Sequence, residues 1–381
     1  MALAAGLAAA LLAGTVATVP ALARGNPLML SAPLSFAELP GWAGDDHRAA
    51  LAAFLRHCRD RRAELPRELS HLCAPAQAAA DSGEPLAART FLERHFEPRR
   101  ILADGFVTGY FEPEYDGSRR PGDGYDTPLL ARPPELVPLA GRPAPDGLPK
   151  DAPFAFSNGN GRLVAPPDRG AIMDGALAGR GLELVWMADP VDAFYVHVQG
   201  SARIRLREGG SLRVGYAGKT GHPYSAIGRV MIERGLADPG TVTMQVLRQW
   251  LAENPHEIDG VLRRNRSYIF FREVTEAAEH EGPIGAAGLP LLPGRSLAVD
   301  AAHHAYGALV FVSADLPLGP DGEQEKFHRL MIAEDTGSAI VGPARGDIFF
   351  GSGDEAGELA GRIQHRADMM LLVPRRPEAK P

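Results

Sequence analysis

The spacing of apolar positions changes character along this chain. Leu51, Phe54, Leu55 and Cys58 recur at i, i+3, i+4 and i+7, the stripe of an amphipathic helix, with Asp45 or Asp46 ahead of it as a cap. A second helix is expected over 85–96, with Pro85 in its first turn and Pro98 as its stop. From Phe106 the period shortens to that of strands, interrupted over 132–154 by a proline-rich stretch expected to be mostly extended loop. Phe194, Val196 and Val198 alternate as on a strand. Ala202, Ile204 and Leu206 then alternate with Arg203, Arg205 and Arg207, and Gly209-Gly210 turns the chain into Leu212-Arg213-Val214. That is a hairpin pattern, whose arginines read as a solvated face.

Helices are expected next over 224–234, stopped by Gly235, and over 243–253 before Asn254-Pro255, followed by a strand at 267–271. Beyond Gly282 short apolar runs at 297–300, 308–312, 329–333, 347–350 and 370–373 are separated by Pro and Gly, the spacing of a small closed β-barrel. With 381 residues and 45% hydrophobic content, the chain has material for two domains.

A net charge of −7, without a basic stripe interleaved with aromatics, argues against nucleic acid as a partner. No charged side chain occurs before Arg24, and the Ala/Leu-rich run ends in Pro20-Ala21-Leu22-Ala23, so residues 1–23 read as an export signal and the protein as periplasmic. The segment holds no cysteine for lipid attachment, and an uncleaved anchor is the other reading of its length. The two cysteines, Cys58 and Cys73, are candidates for a disulfide in an oxidising compartment, where closing a loop of about 15 residues contributes about 3 kcal/mol. His303-His304 and the other histidines lack metal-ligand spacing, so neither a metal nor a cofactor is expected.

The chemistry concentrates in Asp335-Thr336-Gly337-Ser338 and, twelve positions after Asp335, Asp347-Ile348-Phe349-Phe350-Gly351. Asp before Thr-Gly is also a turn pattern. Asp347, however, opens an apolar run, which places a carboxyl at the start of a buried strand. Partial burial that raises its pKa by about two units would make it a usable general acid.

Five motifs in order resemble the membrane-bound lytic murein transglycosylase A family: Thr108-Gly109-Tyr110-Phe111-Glu112-Pro113; Val198-Gln199-Gly200-Ser201; Tyr216-Ala217-Gly218-Lys219-Thr220-Gly221-His222-Pro223-Tyr224; Asn265 to Phe271; and Asp300, Asp335 and Asp347 in their glycine-rich contexts. The resemblance implies a mainly β fold of two β-barrel domains with N-terminal helices. One is a double-psi barrel made from residues 24–112 and 274–375, and the other an inserted barrel at 113–273, with a glycan groove between them. It implies cleavage of peptidoglycan strands between N-acetylmuramic acid and N-acetylglucosamine without water, leaving a 1,6-anhydro end. Asp347 would be the acid and then the base, supported by Asp335 and Asp300. Thr108, Tyr110, Phe111, Gln199, Gly200, Ser201, Tyr216, Lys219 and His222 would meet the sugar chain. A monomer is expected, with cell-wall synthesis or division complexes as possible company. Ser338 stands where that family commonly has glycine, and Ala202 where a second glycine is frequent.

Three other readings stay open at this level. Asp335-Thr336-Gly337 resembles an aspartic protease loop, but no second such loop follows. A two-carboxylate hydrolase would set Asp335, Glu112 or Glu114 opposite Asp347. A glycan-binding protein without activity would share the groove and lack the chemistry.

Overall fold

The computed structural model describes residues 17–19, 27–63, 65–238, 241–278 and 281–375. Apart from Ala17–Val19, which pairs with Leu28–Leu30, the expected leader at 1–23 lies outside the described residues. Helices and sheets alternate in a mixed α/β fold built on two large sheets. The first has eight strands in the order Gln364–Arg366, Phe106–Glu112, Arg345–Ser352, Ser296–Val299, Glu325–Asp335, Leu309–Leu316, Asp368–Pro374, Phe96–Arg100. The second has six: Ile269–Glu273, Ser211–Lys219, Ser201–Leu206, Glu114–Ser118, Glu183–Met187, Thr127–Leu130. Among the described residues no ladder joins the end strands of either sheet, and only a single bridge from Ala131 to Phe271 spans those of the six-stranded one, so the two closed barrels expected from the sequence are not formed.

The amphipathic stripe forms the helix His47–Arg59, whose cap is Asp46, its carboxylate accepting from the Ala49 N–H at 2.9 Å. Leu51, Phe54 and Leu55 turn inward, where they join Leu69, Phe91 and Leu92 and the buried Phe311 and Leu330 of the eight-stranded sheet in one core. Cys58 and Cys73 are disulfide-bonded and fasten this helix to Cys73–Asp81.

Four local expectations are corrected. Phe194, Val196 and Val198 lie on the helix Pro190–Gln199, not a strand. Asp189 caps it by accepting from the Val191 N–H, Pro190 fits the first turn, and six of its residues are buried, so period two was only part of a nearly all-round apolar surface. Pro98 does not merely stop a helix: Ala87–His95 ends before it, and Pro98 sits within the edge strand Phe96–Arg100, where a missing N–H leaves no ladder partner unmet. The stretch 132–154 contributes to a separate small sheet of Leu136–Pro138, Phe154–Ser157 and Leu163–Val164. The helix expected over 224–234 is only Arg229–Glu233, although Gly235 stops it in a left-handed conformation (φ 68°).

The chain passes from one large sheet to the other at Glu112-Pro113-Glu114. Glu112 is fully buried. Arg203 Nε lies 3.0 Å and Arg213 Nε 2.9 Å from its carboxylate, and Ser352 Oγ donates to it at 2.9 Å. Arg203 and Arg213 face each other across the hairpin, so one carboxylate neutralises two opposed like charges and ties the six-stranded sheet to the eight-stranded one. Glu112→Ala is therefore expected to destabilise the protein by about 3–5 kcal/mol, since it strands the buried Arg213 guanidinium and the half-buried one of Arg203. Denaturant unfolding measures this; a loss no larger than that of an exposed-glutamate control would refute the role.

Candidate active site

Asp347 occupies the strand Arg345–Ser352. It pairs on one side with Thr108 and on the other with Ala298, which is itself paired with Asp335 across the next strand. Two carboxyl-bearing residues thus flank a single methyl side chain, their Cα atoms about 10 Å apart at ordinary strand spacing. A register irregularity between Leu297 and Ala298 produces this arrangement: Leu297 pairs with Ala333 but Ala298 with Asp335, so Glu334 is the extra residue. The bulge sends Glu334 into the core, 2.9 Å from His57 Nε2, and turns Asp335 into the cleft.

Thr108 Oγ1 donates to Asp347 Oδ1 at 2.6 Å and accepts from Arg345 Nη2 at 2.7 Å. With its lone pair engaged by the guanidinium, the single hydroxyl proton is directed at the carboxyl group. Tyr110, two residues along the same strand face, donates from its hydroxyl to Asp335 Oδ2 at 3.0 Å, and the Ala286 N–H donates to Oδ1 at 3.0 Å. Gly109, between them, faces the other way, where a Cβ would lie 2.8 Å from Ala360 Cα. Helix Asp354–Gly361 can therefore pack on the strand only if residue 109 is glycine.

Burial pushes both carboxyls up to about 6. For Asp347 the Thr108 hydrogen bond and the Arg345 charge oppose the rise, while the Asp335 charge adds to it. For Asp335 the Ala286, Thr336 and Tyr110 hydrogen bonds oppose it and Glu334 adds to it.

A cleft of about 620 Å³ opens above these groups. Its floor includes Tyr110, Ala298, Asp335 and Asp347 from the eight-stranded sheet; the facing wall includes Gln199, Gly200, Ser201, Tyr216 and Lys219. Gly200 ends the helix Pro190–Gln199 in a left-handed conformation (φ 79°), and Ser201 starts the next strand. Gln199 Oε1 accepts from the Phe111 N–H at 3.2 Å, linking the wall to the floor. Tyr216 is 45% exposed, leaving a ring face available. Lys219 closes the strand Ser211–Lys219; its Nζ donates to Ser338 Oγ at 2.9 Å across the cleft, and burial lowers its pKa.

Two expected site residues lie elsewhere, and a third supports the site from beneath, as a residue organising it through turns would. Phe111 is buried against Ala356, Ala360 and the Gly357 backbone, because it projects to the opposite side of its strand from Tyr110. His222 is buried, with Nε2 2.8 Å from the Pro166 carbonyl oxygen. Asp300 accepts from the Ala302 and Gly342 N–H groups at 2.9 and 2.8 Å, so its carboxylate shapes the loop beneath Asp335-Thr336 instead of lining the cleft. Among the described residues neither of the other carboxylates considered faces Asp347: Glu112 is enclosed by its arginines and Glu114 pairs with Arg205 on the outside. Arg345 and Arg169 were not anticipated. Arg345 was discoverable, since it stands two residues before Asp347 and shares its strand face; Arg169 carried no such signal.

Two family models match in order: the MltA specific insert domain over residues 106–272 and the 3D domain over 295–373. The crystal structure of a membrane-bound lytic murein transglycosylase from Agrobacterium tumefaciens is 46% identical, covers 90% of this chain and 97% of its own, and has a TM-score of 0.78. MltA from Neisseria gonorrhoeae is 31% identical with 97% of each chain covered and a TM-score of 0.75. Escherichia coli MltA, solved with bound chitohexaose, is 25% identical over 94% of this chain and 97% of that one, with a TM-score of 0.67. Among curated sequences, membrane-bound lytic murein transglycosylase A of Vibrio cholerae is 33% identical over 263 residues, 68% of this chain and 62% of that protein. The match thus spans somewhat less than two thirds of that relative's length. The fold is that of the solved membrane-bound lytic murein transglycosylases. The chain belongs to the membrane-bound lytic murein transglycosylase A family.

The raised pKa of Asp335 has a consequence for stability. A carboxyl whose folded pKa exceeds its unfolded value near 3.8 holds its proton more tightly in the folded state. The resulting stability is present below about pH 4 and is lost as pH rises through about 6. Asp335→Asn keeps a neutral group there, so it is expected to be more stable than the parent at pH 8, with the difference shrinking toward pH 4. Unfolding curves across that range test it; parallel pH profiles would show that burial does not set this carboxyl's proton affinity.

Proposed function

We propose that this protein is a peptidoglycan lytic transglycosylase that cleaves the β-1,4 bond between N-acetylmuramic acid and N-acetylglucosamine and leaves a 1,6-anhydromuramoyl end. The observation that carries this reading is Asp347: a carboxyl at the cleft floor, raised to about 6 by burial, with the Thr108 hydroxyl as its side-chain donor. At pH 7 a carboxyl with pKa about 6 is protonated roughly one time in ten, against fewer than one in a thousand for an ordinary aspartate. Asp347 in this reading protonates the glycosidic oxygen. Its carboxylate, steadied by the Thr108 hydrogen bond, then takes the proton of the muramoyl C6 hydroxyl as that oxygen attacks the anomeric carbon. The nucleophile belongs to the substrate, so no protein nucleophile or bound water is required.

Residues 24–112 and 274–375 supply the acid floor and residues 113–273 the facing wall. Gln199, Gly200, Ser201, Tyr216 and Lys219 meet the strand there, with Tyr216 offering a ring face to sugar. Tyr110 and the Ala286 N–H fix Asp335, which raises Asp347 through its charge. The place of work is the periplasm, where a Cys58–Cys73 disulfide persists and both cysteines of the chain are committed to it. The protein acts as a monomer on glycan strands, and association with cell-wall synthesis or division complexes falls within the same reading.

A second reading draws on Asp335 and Asp347 flanking Ala298, both with raised pKa. With Asp335 as a base that activates water, the pair would hydrolyse the same bond with inversion. Mass spectrometry of soluble products from purified peptidoglycan decides between them. The transglycosylase gives products lighter by one water than hydrolytic muropeptides and gives none with Asp347→Asn; reducing-end products would instead establish the hydrolase.

The pH profile supplies an independent check. Activity requires protonated Asp347, so kcat/KM is expected to fall as pH rises through about 6. Asp335→Asn removes a charge that raises Asp347 and moves this limb to lower pH, whereas Thr108→Val removes a donor that lowers it and moves the limb to higher pH. A limb that stays fixed in both variants would assign the titration to another group.

A further inference from the structure

Arg169 is a cation in the wrong place for a merely structural residue. It is 4% exposed and lines the cleft on the wall opposite the aspartates. Two other arginines are buried to a similar degree among the described residues, and each faces a carboxylate: Arg213 meets Glu112 at 2.9 Å and Arg295 meets Asp45 at 2.8 Å. Arg169 meets none. Asp168, next to it in the chain, is committed to capping Ala171 and to Arg266 at 2.9 Å.

What holds Arg169 is neutral. Nε donates to the Asn265 carbonyl at 3.0 Å and Nη2 to the Ser267 carbonyl at 2.8 Å, and the guanidinium lies 4.7 Å from the Phe194 ring centre and 5.2 Å from that of Tyr268. Burial pulls its pKa down to about 10, so it remains charged at neutral pH. Nη1 makes no hydrogen bond to the described residues. A largely buried, immobilised guanidinium with a donor to spare at the cleft is a ready partner for an anion. Nearby on the same wall, Lys219 has Ser338 rather than a carboxylate as its partner; Lys219 pairs in register with Ile269, two residues beyond the Ser267 that Arg169 holds.

We propose that Arg169, flanked by Lys219, is a specificity site that binds a carboxylate of the glycan substrate. The proposal rests on the peptidoglycan reading above. Such a carboxylate has two sources, the lactyl group of muramic acid where the peptide has been removed and the peptide stem where it is retained. Neutral N-acetylglucosamine oligomers have neither. The aspartate floor then performs the chemistry while the opposite wall distinguishes an acidic glycan from an uncharged one of the same backbone.

The test measures dissociation constants in an Asp347→Asn background, which leaves the ligand uncleaved, for three probes: stem-bearing strands, peptide-free strands and chitohexaose. Arg169→Gln is expected to weaken one or both acidic strands about ten-fold or more and to leave chitohexaose within about two-fold. A loss confined to stem-bearing strands assigns the stem carboxylate, and one confined to peptide-free strands the lactyl carboxylate. An equal loss on all three probes would make Arg169 a structural clamp and overturn the proposal. The unsubstituted Arg169 protein in the same background guards against a folding defect. Its affinity for acidic strands must fall with salt more steeply than its affinity for chitohexaose, and Arg169→Lys, which keeps the charge, must retain part of that difference. Equal salt dependence overturns the proposal while leaving the transglycosylase reading intact. Failure of that protein to bind any of the probes defeats both.

Discussion

The cleft exists because one buried carboxylate holds two sheets together. Glu112 is the last residue of the strand that carries Thr108 and Tyr110, and its arginine partners belong to the opposite sheet. The distance from the aspartate-bearing floor to the facing wall is therefore set by an ion cluster only a few residues from Thr108, the hydroxyl that donates to Asp347. Buried ion pairs are weak sources of net stability, because desolvation offsets most of their attraction. They are strong sources of specificity of arrangement, since a sheet displaced by one residue would leave both guanidiniums without a partner. Ser352, at the far end of the Asp347 strand, joins the same cluster, so the strands carrying Asp347 and Thr108 both end on it.

The same logic appears inverted in the cleft. Asp347 sits beside Arg345, a proximity that in isolation would hold a carboxylate well below its ordinary pKa. The guanidinium instead spends its donors on the Thr108 hydroxyl and the Gly346 carbonyl, so the carboxyl receives the charge at one remove. Burial then outweighs the attraction, and the group stays near 6. A hydroxyl placed between a cation and a carboxyl orients the carboxyl while leaving its pKa raised.

Much of this was legible in the sequence. Asp347 announced itself by opening an apolar strand, whereas Thr108 and Tyr110 were legible only through the motif they share with the family. The arginine-striped hairpin was readable from its alternation and its Gly-Gly turn. What escaped was of two kinds. The helix Pro190–Gln199 is buried nearly all round, so its apolar residues satisfy a strand's period over a short window, and only Asp189-Pro190 ahead and Gly200 behind betray it. The other kind depends on contacts distant in sequence. His222 and Phe111 carry the side chains a glycan site uses, yet tertiary packing directs them into the interior, while Arg169 was invisible because its meaning lies in what it does not touch.

The bulge at Glu334 shows why motif and geometry can agree for reasons neither reveals alone. In an unbroken parallel ladder Ala298 would face Glu334, and Asp335 would point away from the cleft. One extra residue reverses that, and the displaced Glu334 needs a polar host inside the core. His57, on the first helix, provides it at 2.9 Å, with the Ser296 hydroxyl as a further donor. The N-terminal helix is thus more than a buttress: it satisfies the buried carboxylate whose displacement brings Asp335 into the site. The disulfide at Cys58 fixes the residue next to His57, so a covalent constraint far from the cleft in sequence bears, through one side chain, on the register that sets the spacing of the two cleft aspartates.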